Sequence, residues 1–90
     1  MSLIFTVLAT STTPASITVP VNAVGFHTLE VIPPTGHTWT EYDQDGGTAT
    51  ISRPLDHREI IHRPYPFVPG TTILKVQMDS GSGTFTCVLK

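Results

Sequence analysis

This 90-residue chain contains few cysteine, charged or aromatic residues. A single cysteine, Cys87, excludes a disulfide within one chain, and the lack of paired cysteines fits a reducing compartment. Charged residues make up 13% of the chain and the net charge is −2, so the sequence lacks the clustered basic surface that binds phosphate. We therefore expect no disulfide framework and no nucleic-acid partner.

Long apolar runs are missing as well. The apolar stretch Met1–Ala9 has no basic residue before it and is interrupted by Thr6, so it does not match a signal peptide. A transmembrane helix needs about 20 apolar residues in a row, and the sequence has no such run. We expect no signal peptide, no transmembrane segment and no membrane partner.

What the chain does contain is β-branched residues. Fifteen threonines, eight valines and seven isoleucines supply 30 of the 90 residues, whereas alanine supplies four. β-branched side chains suit a pleated surface, and no stretch has apolar residues at the i, i+3, i+4 spacing of a helix. The composition predicts strands and no substantial helix.

Alternating polarity marks the strands, most clearly at 71–78 and 84–90. Their apolar positions share one parity in each strand: Leu74, Val76 and Met78, then Phe85, Cys87 and Leu89. With the turn at 79–83 between them, we predict a hairpin with one apolar face and a buried thiol at Cys87. Further strands are expected at 3–9, 16–21, 26–32, 38–42, 48–52 and 58–62.

Turn residues refine this pattern. Pro20 places the strand at 16–21 on a sheet edge, and 43–47 is a hairpin turn whose return strand points Ala49 and Ile51 inward. The segment 63–70 holds three prolines and should run extended into a Pro69-Gly70 turn.

These elements predict one domain over residues 1–90. We expect a small antiparallel β-sandwich, jelly-roll or Ig-like, with about seven or eight short strands. Residues 1–14 should form a first strand with an extended arm. A chain of this length has a thin core, so association between subunits is a natural source of stability.

The segment Arg53–Arg63 concentrates three arginines, two histidines and two carboxylates. Neither a strand nor a helix brings His57 and His62 to one side, and zinc spacings are missing, so we expect no metal. Mixed ion pairs on a solvated edge are the favoured interpretation, and an intersubunit contact through Arg58 and Arg63 is the alternative. No motif for a nucleophile or a phosphate loop occurs, so we expect no catalytic residue and no cofactor.

Four aromatic residues admit two interpretations. Trp39 could lie in the core, with Tyr65 and Phe67 holding the proline-rich segment on the sandwich. Alternatively, exposed Trp39 and Tyr42 could stack on a glycan, and exposed Tyr65 and Phe67 could anchor a protein partner. The predicted protein-contact residues are Arg58, Arg63, Tyr65 and Phe67, and the alternative glycan-stacking pair is Trp39 and Tyr42.

Residues 37–90 show a familiar order of elements. A tryptophan strand (37–42) leads to an Asp-Gly-Gly turn, a Thr/Ile strand, a proline loop with aromatics, and a Ser/Gly-rich tip before a final Thr-rich strand. This order resembles small β-sandwich proteins of tailed-phage virions, which include head decoration or cement proteins and tail accessory modules. The resemblance implies a non-enzymatic homotrimer or homodimer that binds the major capsid protein lattice at the virion surface, after synthesis in the host cytoplasm.

Two other functions stay open at this point. The first is a carbohydrate-binding or tail host-attachment module, which requires Trp39 or Tyr42 to be exposed. The second is a small inhibitor of a host protein, which requires a tight one-to-one complex and no self-assembly.

Overall fold

A computed structural model describes residues 2–45, 47 and 51–90. This part of the chain contains no helix, as its composition predicts, and its strands follow one another along the whole sequence. They are β1 (Leu3–Thr10), β2 (Ala15–Thr18), β3 (Thr28–Ile32), β4 (Trp39–Tyr42), β5 (Ile51–Arg53), β6 (Glu59–His62), β7 (Thr72–Met78) and β8 (Ser82–Leu89).

The strands form two antiparallel four-stranded sheets. Sheet A has the order β1-β8-β3-β6, and sheet B has the order β2-β7-β4-β5. Each strand of the first half pairs with its counterpart in the second half, β1 with β8, β2 with β7, β3 with β6 and β4 with β5. This is the topology of a long hairpin rolled into a sandwich, a jelly roll. The predicted β-sandwich is confirmed, and of its two predicted forms the jelly roll is the one present.

The core lies between the sheets and follows the predicted parity. Leu74, Val76 and Met78 of β7 are buried, as are Phe85, Cys87 and Leu89 of β8. The ring of Trp39 on sheet B meets the ring of Phe85 on sheet A edge to face, with centroids 5.3 Å apart and planes at 72°. This aromatic pair joins the two sheets at the centre of the core.

The predicted C-terminal hairpin is wrong. β7 lies in sheet B and β8 in sheet A, so the turn between them carries the chain across the sandwich. The alternation of apolar and polar residues shows which side of each strand is apolar. The same alternation results whether the two strands are neighbours in one sheet or lie opposite each other in two sheets. Here they face each other, because two sheets with apolar inner faces bury more surface than one sheet.

The crossing turn is held by Asp79. Its carboxylate accepts hydrogen bonds from His37 Nδ1 (2.9 Å), the Thr38 N–H (3.2 Å) and the Ser80 N–H (2.7 Å). The His37 contact lowers the pKa of Asp79 to about 2, and the backbone donors act in the same direction. Gly81 completes the turn with a φ of +62°, a left-handed conformation that favours glycine.

The predicted extended arm at 1–14 is also wrong. Leu3–Thr10 forms β1 and stays in register with β8 over its full length, from Leu3 opposite Leu89 to Thr10 opposite Ser82. The alternation of apolar and polar residues in this segment suits a strand, and β8 supplies the partner. The expected first strand is therefore present, and it leaves only a short link to β2.

Two details of the middle strands differ from the prediction. β2 is an edge strand, as Pro20 predicts, but it ends at Thr18. Val21 faces solvent within a turn in which the Ala23 N–H donates to the Pro20 carbonyl (3.0 Å). β4 and β5 form the predicted hairpin, yet Ile51 is exposed because β5 is itself an edge strand. Ala49 lies outside the described residues.

Candidate functional site

Two loops meet at one end of the sandwich and are joined by their backbones. The loop after β2 (residues 19–27) lies against the loop after β6 (residues 63–71). The Phe67 N–H donates to the Phe26 carbonyl (2.8 Å), and the Gly70 N–H donates to the Val19 carbonyl (2.8 Å). These bonds fix the two loops relative to each other, and together they form what we call the loop end.

The predicted Pro69-Gly70 turn is confirmed within the loop end. Gly70 has a φ of +85°, and the Thr71 N–H donates to the Val68 carbonyl (3.2 Å). The Thr71 hydroxyl donates to the same carbonyl at 2.6 Å. This geometry matches a type II turn, in which proline fixes one backbone angle and glycine supplies the positive φ.

The loop end presents large apolar side chains to solvent. Four of them are between 61% and 86% exposed: Val21, Val24, Tyr65 and Val68. They lie on two loops that backbone hydrogen bonds hold side by side, and exposed apolar patches mark interaction sites. The loop end is therefore the candidate functional site.

An open cleft adjoins the loop end. It has a volume of about 510 Å³ and lies between the tip of the β4–β5 hairpin, lined by Tyr42 and Asp43, and the end of β6, lined by Ile61 and Arg63. A second cleft of about 360 Å³ shares Arg63 with the first and continues along the proline-rich segment 64–68. Arg63 thus sits where a groove of mixed polarity meets the apolar surface of the loop end.

A cluster of half-buried charged side chains lies at the side of the sandwich, between the edges of the two sheets. Arg53 Nη2 lies 2.7 Å from Glu59 Oε2 and 3.3 Å from Glu41 Oε1, so one guanidinium serves two carboxylates from different sheets. His57 Nε2 lies 3.5 Å from Glu59 Oε2. The ion pairs of the favoured interpretation are therefore present, but the Arg53, Glu41 and Glu59 side chains are largely buried and do not form the predicted solvated edge. Burial, with the nearby Glu59 charge as a second cause, raises the pKa of Glu41.

Glu41→Gln should stabilise the protein at neutral pH. A raised pKa means that the folded state holds the Glu41 proton more tightly than the unfolded state, so ionisation of Glu41 lowers stability as pH rises above its ordinary value of 4.5. The amide imitates the protonated form and keeps an oxygen for Arg53. We expect a modest gain in the urea midpoint at about pH 7 that disappears at about pH 4.

The matched control for this prediction is Glu30→Gln, on the outer face of sheet A, where Glu30 lies 3.5 Å from Arg58 Nη1. Removal of that more exposed pair should not stabilise the protein at neutral pH. A Glu41→Gln variant less stable than the parent at neutral pH would show that the Arg53 contact outweighs the burial of charge.

The described residues contain no group of three or more histidine, cysteine or acidic side chains placed to hold a metal ion. Burial raises the pKa of the Cys87 thiol to about 12, so it is not a ready nucleophile. No family model, curated protein or solved structure matches this chain. In the described part of the chain no helix has the length and apolar character needed to cross a membrane.

The predicted protein-contact residues divide into three groups. Arg63 and Tyr65 lie together at the loop end, and both are exposed. Arg58 lies at the other end of β6, where it contacts Glu30 (3.5 Å), so it belongs to a different surface. Phe67 is buried, because its backbone is bonded to Phe26 and its ring turns into the core, and we withdraw it from the contact set.

Of the alternative glycan-stacking pair, Trp39 is buried and Tyr42 is half-buried. Trp39 is 1% exposed, and its indole N–H donates to the His57 carbonyl (3.1 Å). Tyr42 is partly buried, and its hydroxyl donates to the Gln77 side chain. The interpretation that places Trp39 in the core agrees with the structure. A glycan module requires an exposed aromatic face, and the buried Trp39 ring does not offer one.

Sequence reasoning misses three of the four exposed apolar residues of the loop end. It places Val21 in a strand and does not single out Val24 and Val68. The useful signal is Pro20, since a proline near the end of a strand indicates that the chain after it leaves the sheet.

Proposed function

We propose that this protein is a non-enzymatic structural binding protein, a subunit of a larger protein assembly. The assembly is a virion, and the protein acts as a decoration protein that binds the capsid lattice. The observation that carries the proposal is the loop end, where four large apolar side chains are exposed on two loops fixed by backbone hydrogen bonds. A surface of this kind gains stability when a partner covers it.

The loop end is suited to binding because it is already ordered. Prolines 64, 66 and 69 restrict its backbone, so little conformational entropy is lost on docking. Tyr65 and Arg63 are of the residue types that dominate interface energetics. The clefts beside Arg63 can accept polar groups from the rim of a partner.

The virion as the setting rests on the resemblance of residues 37–90 to tailed-phage proteins. The jelly roll is compatible with that setting, since viral capsid domains use it, although lectin domains use it too and a fold alone does not decide a function. The burial of Trp39 favours a protein partner over a sugar. Repetition over a lattice would multiply weak contacts at each loop end into strong overall binding.

The test is binding to virus particles assembled without the chain. We expect the purified protein to add to such particles in many copies, measured by quantitative mass spectrometry after gradient purification. The double variant Tyr65→Ala/Val68→Ala should bind at least about tenfold more weakly, because truncation of a contact anchor commonly costs more than 1 kcal/mol. Arg63→Ala should weaken binding in the same direction.

The matched control for Arg63→Ala is Lys75→Ala, which removes one positive charge from the outer face of sheet B. Arg58→Ala reports on the opposite end of β6 and should leave binding unchanged. The proposal fails if the protein does not add to particles, or if the loop-end variants bind as well as the parent protein.

A further inference from the structure

The four edge strands of the sandwich differ in how they are protected. Natural sheets shield their edges by short strands, prolines, charges or bulges, since an open edge pairs with other chains. Three edges here follow that rule. β2 has four residues and a register shift between Ile17 and Thr18. β5, whose described part has three residues, is followed directly by Pro54, and β6 lies between arginines 58 and 63.

β1 is an edge strand without this protection. It has eight residues, no proline, no charge and an unbroken register with β8. Its solvent-facing side carries Ile4 and Leu8, which are 64% and 67% exposed. Among the described strands only β8 pairs with it. A long, regular, apolar and uncharged edge of this kind is a site for strand addition.

The free backbone groups of β1 belong to its even-numbered residues. The Ser11 N–H donates to the Gly81 carbonyl (2.9 Å), and Ser11 and Gly81 continue the β1–β8 register, so the odd residues of β1 bond to β8. On the other side of β8, Lys90 and Thr28 exchange two bonds (2.9 and 3.1 Å), which directs the even residues of β8 to β3. Both observations leave the N–H and carbonyl groups of Ile4, Thr6 and Leu8 pointing away from sheet A.

We propose that β1 pairs with β1 of a second copy of this chain. The two strands run antiparallel about a two-fold axis at Thr6, so that the two A sheets become one eight-stranded sheet. In this register Thr6 faces Thr6 of the other copy, and Ile4 faces its Leu8. The even residues then form the hydrogen-bonded pairs, as their outward N–H and carbonyl groups require.

Several features favour a second copy as the occupant. The symmetric register sets each exposed apolar side chain of the strand, Ile4 and Leu8, opposite another one, and such cross-strand pairs stabilise a sheet. On the inner side, the partly buried Phe5 and Val7 face each other across the axis. No charged residue precedes Glu30 in the sequence, so the approach of two identical strands brings no like charges together.

The size of the edge sets the expected affinity. A standard stable interface covers about 800 Å² on each partner, roughly a sixth of the 5033 Å² surface of this chain. An eight-residue strand edge is about 27 Å long and about 10 Å thick, which is a smaller footprint. We therefore expect a dimer that dissociates on dilution. The dimer is a property of the chain by itself and goes beyond the proposed function, on which it rests only for a biological role.

The first experiment is sedimentation velocity on the purified chain from low micromolar to millimolar concentration. The parent protein should shift from monomer to dimer across this range. Ile4→Lys should weaken the dimer at least tenfold, because it places a charge on the edge. The matched control is Ile60→Lys, an isoleucine of similar exposure in the same cross-strand row of sheet A but on the far edge, and it should dimerise like the parent.

The second experiment is a cross-link at the axis. Opposed hydrogen-bonded residues have Cα atoms about 5.5 Å apart, within the range of a disulfide, so Thr6→Cys should form a covalent dimer under mild oxidation. Thr84→Cys, exposed on the neighbouring strand, should not, and buried Cys87 should stay unreacted.

The proposal is overturned if the chain stays monomeric at millimolar concentration. It is also overturned if Ile4→Lys dimerises like the parent, or if Thr6→Cys cross-links no faster than Thr84→Cys. Because these measurements use the purified chain alone, a failure here leaves the particle-binding result of the proposed function standing, and the reverse holds as well.

Discussion

Trp39→Ala should destabilise the protein by about 3–5 kcal/mol. The indole fills the centre of the core, packs edge to face on Phe85 and donates its N–H to the His57 carbonyl. A domain of this length has a total stability of about 5–13 kcal/mol, so this one change removes a large part of it. Urea unfolding followed by far-UV circular dichroism measures the loss without relying on the removed fluorophore.

Trp39→Phe separates packing from hydrogen bonding. It keeps an aromatic ring against Phe85 but leaves the His57 carbonyl without its donor, so we expect a smaller loss of about 1–3 kcal/mol. A Trp39→Ala protein within 1 kcal/mol of the parent would contradict the placement of this side chain between the sheets. The fluorescence of Trp39 in the parent should show the short emission wavelength of a buried indole and should not respond to glycans.

Gly83→Ala should destabilise the protein by about 1–3 kcal/mol through overpacking. A Cβ at this position would lie 2.6 Å from Pro34 Cγ and 3.0 Å from Met78 Cε. The methionine can move, but the proline ring is fixed to its backbone and cannot give way easily. Thermal and urea unfolding should both record the loss, with the far-UV spectrum of the folded state unchanged.

Gly81 provides the comparison, since it is glycine for a different reason. A Cβ there meets nothing within 4 Å, but the φ of +62° is strained for most residues. Gly81→Ala should cost about 1–2 kcal/mol, and Gly81→Asn should recover part of it because asparagine tolerates this conformation. Gly83→Asn should recover none of the stability that Gly83→Ala loses. Equal behaviour of the two positions would show that crowding by Pro34 is not the constraint at Gly83.

The sequence predicted the faces of the strands well and their partners poorly. Leu74, Val76, Phe85 and Cys87 are buried as their alternation indicates, because alternation follows from the pleat of a single strand. The sheet to which β8 belongs depends on contacts with β1 and β3, which lie far away in the sequence. No local pattern around Gly81 distinguishes a turn within a sheet from a turn between sheets.

The candidate site was predictable only in part, again because contacts between distant parts of the sequence decide what local patterns do not. Proline-rich sequence around Tyr65 indicated an extended, exposed segment, and the residue types of Arg63 and Tyr65 indicated a contact. Phe67, two residues away, is buried because its N–H meets the Phe26 carbonyl. Outside a regular strand, which of two nearby aromatic rings turns inward is decided by such a tertiary bond and not by spacing.

The rolled-up topology also orders events during synthesis. The β4–β5 hairpin pairs strands that are close in sequence. The other pairs join strands that are made further and further apart: β3 with β6, β2 with β7 and β1 with β8. Of the eight strands β1 is made first and receives its partner β8 last, so its apolar residues stay unpaired while the other strands are made. Distant pairing of this kind slows folding and exposes chains to aggregation. The strand that we propose for self-association is thus also the one whose own partner is made last.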